Sequence, residues 1–424
     1  MNLPSRADVN AEIERVLRAH QGRLIAALST RFRDIGLAED VLQDAVTAAL
    51  NHWPKKGIPH NPQGWLFQTA KRKAIDRFRR QSTRRTKAGE LTQQAELAQA
   101  IYENPEPENQ AIPDERLRLI FTCCHPAVPE VAHTALTLKT ICGLSTEQIS
   151  AAYLVPKSTV AQRIVRAKNK IKQARIPFTI PGPDLWPQRL QSVLSVIYLI
   201  FNAGYSNLTP DKQAADLCAQ AIHLGRILAK LLPQETEVGG LLSLMLLNHA
   251  RRPARIANPE IYISLEDQNR TLWDNASIIA GQNLLLKTLT QGKPGSYQIQ
   301  AAISAVHCQA ATFADTDWPE ITALYERLYA YEPTPVVLLN ASVALSFGQS
   351  PAAGLASLAP ITQDGTLDSY QPYHAAYADM LRRDGQHQHA KQAYQRAHDL
   401  SASSQEQRYL KNRMVKLSAR ARQY

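Results

Sequence analysis

The sequence predicts an all-α protein. Ala, Leu, Gln, Arg and Glu dominate it, and apolar residues recur at intervals of three and four rather than two. No run of alternating polar and apolar residues reads as a convincing strand. The chain has 424 residues, 44% hydrophobic and 20% charged, enough for about two to four domains and unlike a disordered chain. Its longest aliphatic stretch, Leu241 to Leu247, is interrupted by Ser243 and falls well short of the ~20 residues a membrane span needs. The N-terminus carries no apolar signal core, so a cytoplasmic location is expected. Cys123, Cys124, Cys142, Cys218 and Cys308 form no CxxC pair and fit a reducing compartment.

The first helical block runs from about Ala11 to Gln81. Within it, LAEDVLQDAVTAAL (Leu37 to Leu50) places Glu39, Asp40, Gln43 and Asp44 outward and Val41, Ala45 and Ala48 inward. This acidic face is a protein-docking surface or a solvated one. A loop follows, with Trp53 and Trp65 at its edges. Asn61 and Pro62 suit N-cap and N1 of the next helix. There Phe67, Ala70, Ala74, Ile75 and Phe78 make one apolar face, opposite Arg72, Lys73, Asp76, Arg79 and Arg80. Aromatics beside a basic helix can stack on an unpaired base; the plainer reading is that the tryptophans are core and Asn61 only a cap. Ser82 to Ile112, including YENPEPENQ, reads as a linker.

A second helical block runs from about Pro113 to Ile176 and contains GLSTEQISAAYLVPKSTVAQRIVRAKNKIKQ (Gly143 to Gln173). Ser145 and Gln148 complete a capping box, with Leu144 and Ile149 at the staple positions. Pro156 suits the first turn of the next helix. There Val160, Ile164, Ala167 and Ile171 form a stripe, backed by Thr159, Gln162, Arg163, Arg166 and Lys170. A buried stripe behind Arg, Gln and Thr is what a helix lying in a major groove requires. IPFTIPGPDLWP (Ile176 to Pro187) marks a boundary. Helical patterning continues to the C-terminus. Near it, Gly385 ends one helix, and Ala390, Tyr394 and Ala397 share a face of the next. Gly348 marks a similar break 37 residues earlier, close to a tetratricopeptide unit of about 34.

Charge is concentrated. Lys71 to Lys87 carries +8 and Pro156 to Arg175 carries +7, so the rest of a chain of net +11 sums to −4. Two basic segments on a slightly acidic body suit a polyanion gripped at two places; otherwise they are two solvated helix faces.

The order AEDVLQDA, WLFQTAKRKAIDRFRR, linker and LSTEQISAAYLVPKSTVAQRIVRAKNKI resembles a group IV, extracytoplasmic-function sigma factor of bacterial RNA polymerase over about residues 11–175. The resemblance implies sigma region 2 in 1–82, a linker in 83–112 and a region 4 helix-turn-helix in 113–176. Asp40, Gln43 and Asp44 then match the surface that docks on the polymerase β′ clamp, and the β flap is a further expected partner. Asn61, Trp65, Arg72, Lys73, Asp76, Arg77, Arg79 and Arg80 match the elements that hold the −10 promoter DNA. Lys157, Ser158, Thr159, Gln162, Arg163, Arg166 and Lys170 match the −35 reader. Tyr153 and Ser158 stand where members of that family commonly carry Gly. YLIFNAGY, LEDQNRTLWD, GSYQIQAAISAVH and TDWPEITALYERL resemble the tetratricopeptide-like extension of a sigma subgroup, implying a helical extension in 177–300 and repeats in 301–424. The expected protein is a monomer when free, with no cofactor, metal or membrane partner, and its extension modulates activity.

Two rivals compete. An enzyme would draw on Glu266, Asp267, Arg270 and Asp274, or on Cys123, Cys124 and His125. The former have the spacing of solvated helix pairs, and neighbours along a chain are not thereby neighbours in space. A helix-turn-helix regulator with a tetratricopeptide-like sensor would bind closed duplex without polymerase.

Overall fold

A computed structural model describes residues 3–85, 114–153, 155–205, 212–255, 262–292 and 294–420. Most of the expected linker, from residue 86 onward, lies outside them. Among the described residues every regular element is helical, and no helix is long and apolar enough to cross a membrane. The chain divides into two compact units, Met1–Ile200 and Phe201–Tyr424.

The N-terminal unit begins with α1 (Arg6–Phe32), α2 (Ile35–Lys56) and α3 (Pro62–Arg85). Each start has a local cause. Ser5 and Asp8 form a reciprocal capping box on α1. Asp34 Oδ1 accepts from the Leu37 amide at 3.0 Å, and Asn61 Oδ1 accepts from the Gly64 amide at 3.0 Å. The three helices pack mutually around Leu24, Leu28, Val41, Trp53, Leu66 and Ala70, all fully buried. Four further helices follow: α4 (Arg116–Cys123), α5 (Glu130–Thr140), α6 (Thr146–Tyr153) and α7 (Lys157–Gln173). Helix α1 also packs on α4 and α5. Gly22 makes this approach possible, since a Cβ there would lie 1.8 Å from the Ile141 carbonyl oxygen. Helix α8 (Trp186–Tyr205) starts after the proline-rich boundary segment.

In the C-terminal unit α9 (Lys212–Leu231) and α10 (Thr236–Ala250) are followed by a short α11 (Arg252–Arg255), then α12 (Asn275–Leu289) and α13 (Ser296–Gln309). Helix α10 is buried along almost its whole length and packs on α9, α12 and α13. Small residues set these crossings: a Cβ at Gly240 would come within 2.8 Å of the Gln298 amide nitrogen. The Glu237 carboxylate of α10 accepts from the Tyr297 and Gln298 amides at 2.9 and 3.1 Å. It thus caps α13 from another element, although burial raises its pKa.

The remaining helices are α14 (Trp318–Tyr331), α15 (Pro335–Gly348), α16 (Pro351–Asp364), α17 (Gln371–Arg383), α18 (His387–Leu400) and α19 (Ser404–Arg420). From α13 onward each packs on the next. Ala390, Tyr394 and Ala397 are buried on one face of α18, in a cluster with Ala378 and Leu381 of α17. Gly385 turns the chain between these helices with φ at +81°.

One expectation is corrected. Glu266, Arg270 and Asp274 do not form helix pairs, because Leu265–Asp267 and Arg270–Leu272 are separate 3-10 turns. Arg270 instead donates to the carbonyls of His307 and Ala310, both at 2.8 Å, tying this segment to the end of α13. Asp274 caps α12 through the Ala276 and Ser277 amides.

His307 lies edge-on to Trp318 with ring centroids 5.3 Å apart. Burial, reinforced by Arg251 and Arg270, holds its pKa down to about 3. The folded imidazole is therefore neutral at pH values where the unfolded chain, titrating near 6.5, takes up a proton. Stability from this group is unchanged above the unfolded pKa and declines as pH falls from there toward 3. Melting midpoints measured between about pH 8 and about pH 4 should fall with acid, and less steeply in His307→Gln.

Candidate nucleic-acid and polymerase interface

Helix α7 buries Val160, Ile164, Ala167 and Ile171 against α5 and α6. That burial turns Lys157, Ser158, Gln162, Arg166 and Lys170 to solvent and leaves Thr159 and Arg163 half-buried. Upstream, the Ser145 amide donates to Gln148 Oε1 at 2.8 Å and the Gln148 amide to Ser145 Oγ at 3.1 Å. Pro156 occupies the N-cap of α7, one position earlier than expected. The turn closes through Ser150 Oγ, which donates to the Val155 carbonyl at 2.6 Å. Tyr153, at a position where Gly is common in such turns, is the last residue of α6. Lys157 pairs with Glu147 of α6, and this contact holds the Glu147 carboxyl down to about 2. The residues expected to read a −35 element thus all lie off the buried stripe of α7.

The −10 set divides. Arg72, Lys73, Asp76, Arg79 and Arg80 lie on the exposed side of α3. Lys73, Asp76, Arg77 and Arg80 share a depression of about 300 Å³ with Asp44 and Asn51 of α2. Asn61 is committed to its cap. Trp53 is fully buried core. Trp65 is half-buried, stacked on His52 at 5.8 Å and edge-on to Trp53 at 5.4 Å. Of the two tryptophans, Trp65, in the first turn of α3, is the one that retains an accessible surface.

Arg77 joins two sets that the sequence reading kept apart. Its guanidinium donates to Asp40 at 3.0 Å and to Asp44 at 2.7 Å, bridging α3 to the acidic helix α2. Gln43 lies exposed between the two acids. The reading also missed a second link. Lys168 of α7 pairs with Glu39 of α2, and Lys172 pairs with Asp34 at 2.7 Å. Partners so far apart in the chain leave no periodic trace; the one hint was the acid-free basic run of α7 facing an excess of acids near α2.

Cys123 and Cys124 are buried, and burial pushes the Cys123 thiol up to about 12 and Cys124 well above its ordinary value. No cluster of His, Cys, Asp or Glu among the described residues has the arrangement of a metal site.

Comparison with known proteins agrees with this geometry. Residues 16–84 match the Sigma-70 region 2 model and residues 118–171 the Sigma-70, region 4 model. The ECF RNA polymerase sigma-E factor of Escherichia coli K12 is 30% identical over 151 residues, covering 35% of this chain and 78% of that protein. The chain belongs to the extracytoplasmic-function branch of the sigma-70 family. A probable ECF RNA polymerase sigma factor, SigI, of Mycobacterium tuberculosis H37Rv is 26% identical over 163 residues, 38% of this chain and 55% of that one. Residues 189–289 match a family of unknown function, DUF6596. An uncharacterized protein of Rhizobium meliloti is 37% identical over 96% of both chains, so the extension of this sigma factor recurs there. No solved structure matches the chain. Its role is in transcription initiation with RNA polymerase and promoter DNA, and the sigma-70 family is not an enzyme class.

The two α7 links of this sigma factor differ in burial. The Lys168 and Glu39 side chains are 18% and 29% exposed, whereas Lys172 is 64% exposed. Lys168→Ala should therefore loosen the α2–α7 contact by about 1 kcal/mol and Lys172→Ala by under about 0.5 kcal/mol. Amide hydrogen exchange along the two helices measures both.

Proposed function

We propose that this sigma factor reads the −35 element with α7 and holds the opened −10 element with α3 and the loop before Trp65. The observation that carries this reading is the pairing of two basic helix faces, each fixed by its own buried stripe, inside the two segments matched as regions 2 and 4. Phosphate contacts from Arg and Lys place the complex and are salt-sensitive, while side chains in the groove discriminate bases. Trp65 offers a ring against which an unstacked base packs. The region-2 acids Asp40 and Asp44, with Gln43, dock on the β′ clamp, and region 4 meets the β flap. The Arg77 bridge is solvent-exposed, with Asp40 63% accessible, so exchanging it for a polymerase contact costs little, about 0–1 kcal/mol. No covalent step is required. The protein acts in the cytoplasm, and the extension, residues 177–424, controls its output.

Reconstituted transcription with core polymerase tests this. Arg163→Ala and Arg166→Ala should each lose about 1–3 kcal/mol of discrimination at one −35 position. Unchanged −35 preference in both variants refutes the α7 assignment. Removing residues 177–424 should change promoter output, and equal output from the truncated and full chains removes the control reading.

A further inference from the structure

The C-terminal unit holds a cavity of about 400 Å³, within the range of about 300–1,000 Å³ found for small-molecule sites. It is assembled from elements far apart in the chain. One wall is aromatic. Trp318 stacks on Phe347 with centroids 4.6 Å apart, and Phe313 meets both rings at 5.2 and 5.1 Å. The other side is closed by the segment beginning at Tyr262, which is fastened to α19. Tyr262 meets Tyr409 edge-on at 5.2 Å. Arg413 donates to the Tyr409 hydroxyl at 2.9 Å and faces Glu266 and Asp267, both at 3.4 Å. Between the walls lie Tyr394 and apolar side chains including Val343 and Met380.

The charges around this space are unequal. Glu266, Asp379 and Glu406 line it against Arg383 and Arg413. Both guanidinium groups are engaged from within the fold. Arg383 lies 3.8 Å from the Phe347 centroid, binds Asp379 at 2.9 Å and donates to the Ser346 carbonyl and hydroxyl. Arg413 is held by Tyr409 and the two acids described above. The carboxylates are engaged as well, Asp379 by Arg382 and Arg383, Glu266 by Arg413 and Glu406 by the Ser401 hydroxyl at 2.8 Å. They outnumber the guanidinium groups lining the cavity three to two, so an entering anion meets a net negative wall and no uncommitted guanidinium. A cation meets those carboxylates together with ring faces, whose quadrupoles attract positive charge.

We propose that this cavity is a binding site for a small organic cation with a planar aromatic body. The ring lies along the Trp318 wall and the cationic head points to Glu266 and Glu406. The LEDQNRTLWD and TDWPEITALYERL segments thereby acquire a shared purpose, since Leu265, Glu266 and Trp318 all line the site. The proposal deepens the reading of the extension, residues 177–424, as a control element by giving that element a ligand class.

Calorimetric titration of the full chain with three indoles of like size tests it: tryptamine as cation, tryptophol as neutral probe and indole-3-propionate as anion. Tryptamine should bind, and the anion at least about tenfold more weakly. The double variant Glu266→Gln/Glu406→Gln keeps the shape and removes two negative charges, so it should lose the preference for the cation. Trp318→Leu should weaken all three probes, with the melting midpoint checking that it folds. Absence of tryptamine binding up to about 5 mM, equal binding of the anion, or a preference that survives in the double variant overturns the proposal. Transcription by the truncated chain separates the two readings. An effect of truncation without ligand binding leaves control standing and removes the pocket, and binding without an effect of truncation does the reverse.

Discussion

Val160, Ile164, Ala167 and Ile171 leave water together, and that event fixes the direction of every charged side chain on α7. Burying a Val or Ile side chain is worth about 1.5–3 kcal/mol, while an exposed arginine has no orientation of its own. The stripe therefore works as a rail, and the polar residues between its members have only the outward side left. Helix α3 follows the same logic with Phe67, Ala70 and Ala74. In the proposed function these two basic faces hold DNA, and apolar burial on the back of each helix fixes both.

Excess positive charge on such faces carries a cost in self-repulsion. The N-terminal unit offsets part of it internally. Arg77 is bridged by Asp40 and Asp44, Lys168 by Glu39 and Lys172 by Asp34, so α2 serves both α3 and α7. The acids of α2 are thus a counter-charge inside the unit and, in the proposed function, a docking surface for polymerase. The exposed pairs are weak enough to exchange partners.

In the C-terminal unit side-chain volume sets the helix crossings. Gly239, Gly240 and Gly281 let α10 approach its neighbours more closely than any Cβ would permit. Further along, the bulky aromatics Trp318, Phe347 and Tyr409 line the cavity.

The all-α class, the capping box at Ser145, the Asn61 cap and the stripe of α7 were legible in the amino-acid order, because each depends on residues three or four apart on one helix. So was the face of α18 that carries Ala390, Tyr394 and Ala397. Sequence spacing misled at Glu266, Arg270 and Asp274, where the chain breaks into 3-10 turns and Arg270 turns to the carbonyls at the end of α13. Tertiary structure alone decided that Trp53 is core while Trp65 keeps a surface, that Arg77 belongs to α2 as much as to α3, and that Tyr262, Trp318 and Arg413 border one cavity. Local periodicity records which side of a helix is greasy. It does not record which other helix that side meets, and these contacts join residues too far apart in the chain for any repeat of the pattern to connect them.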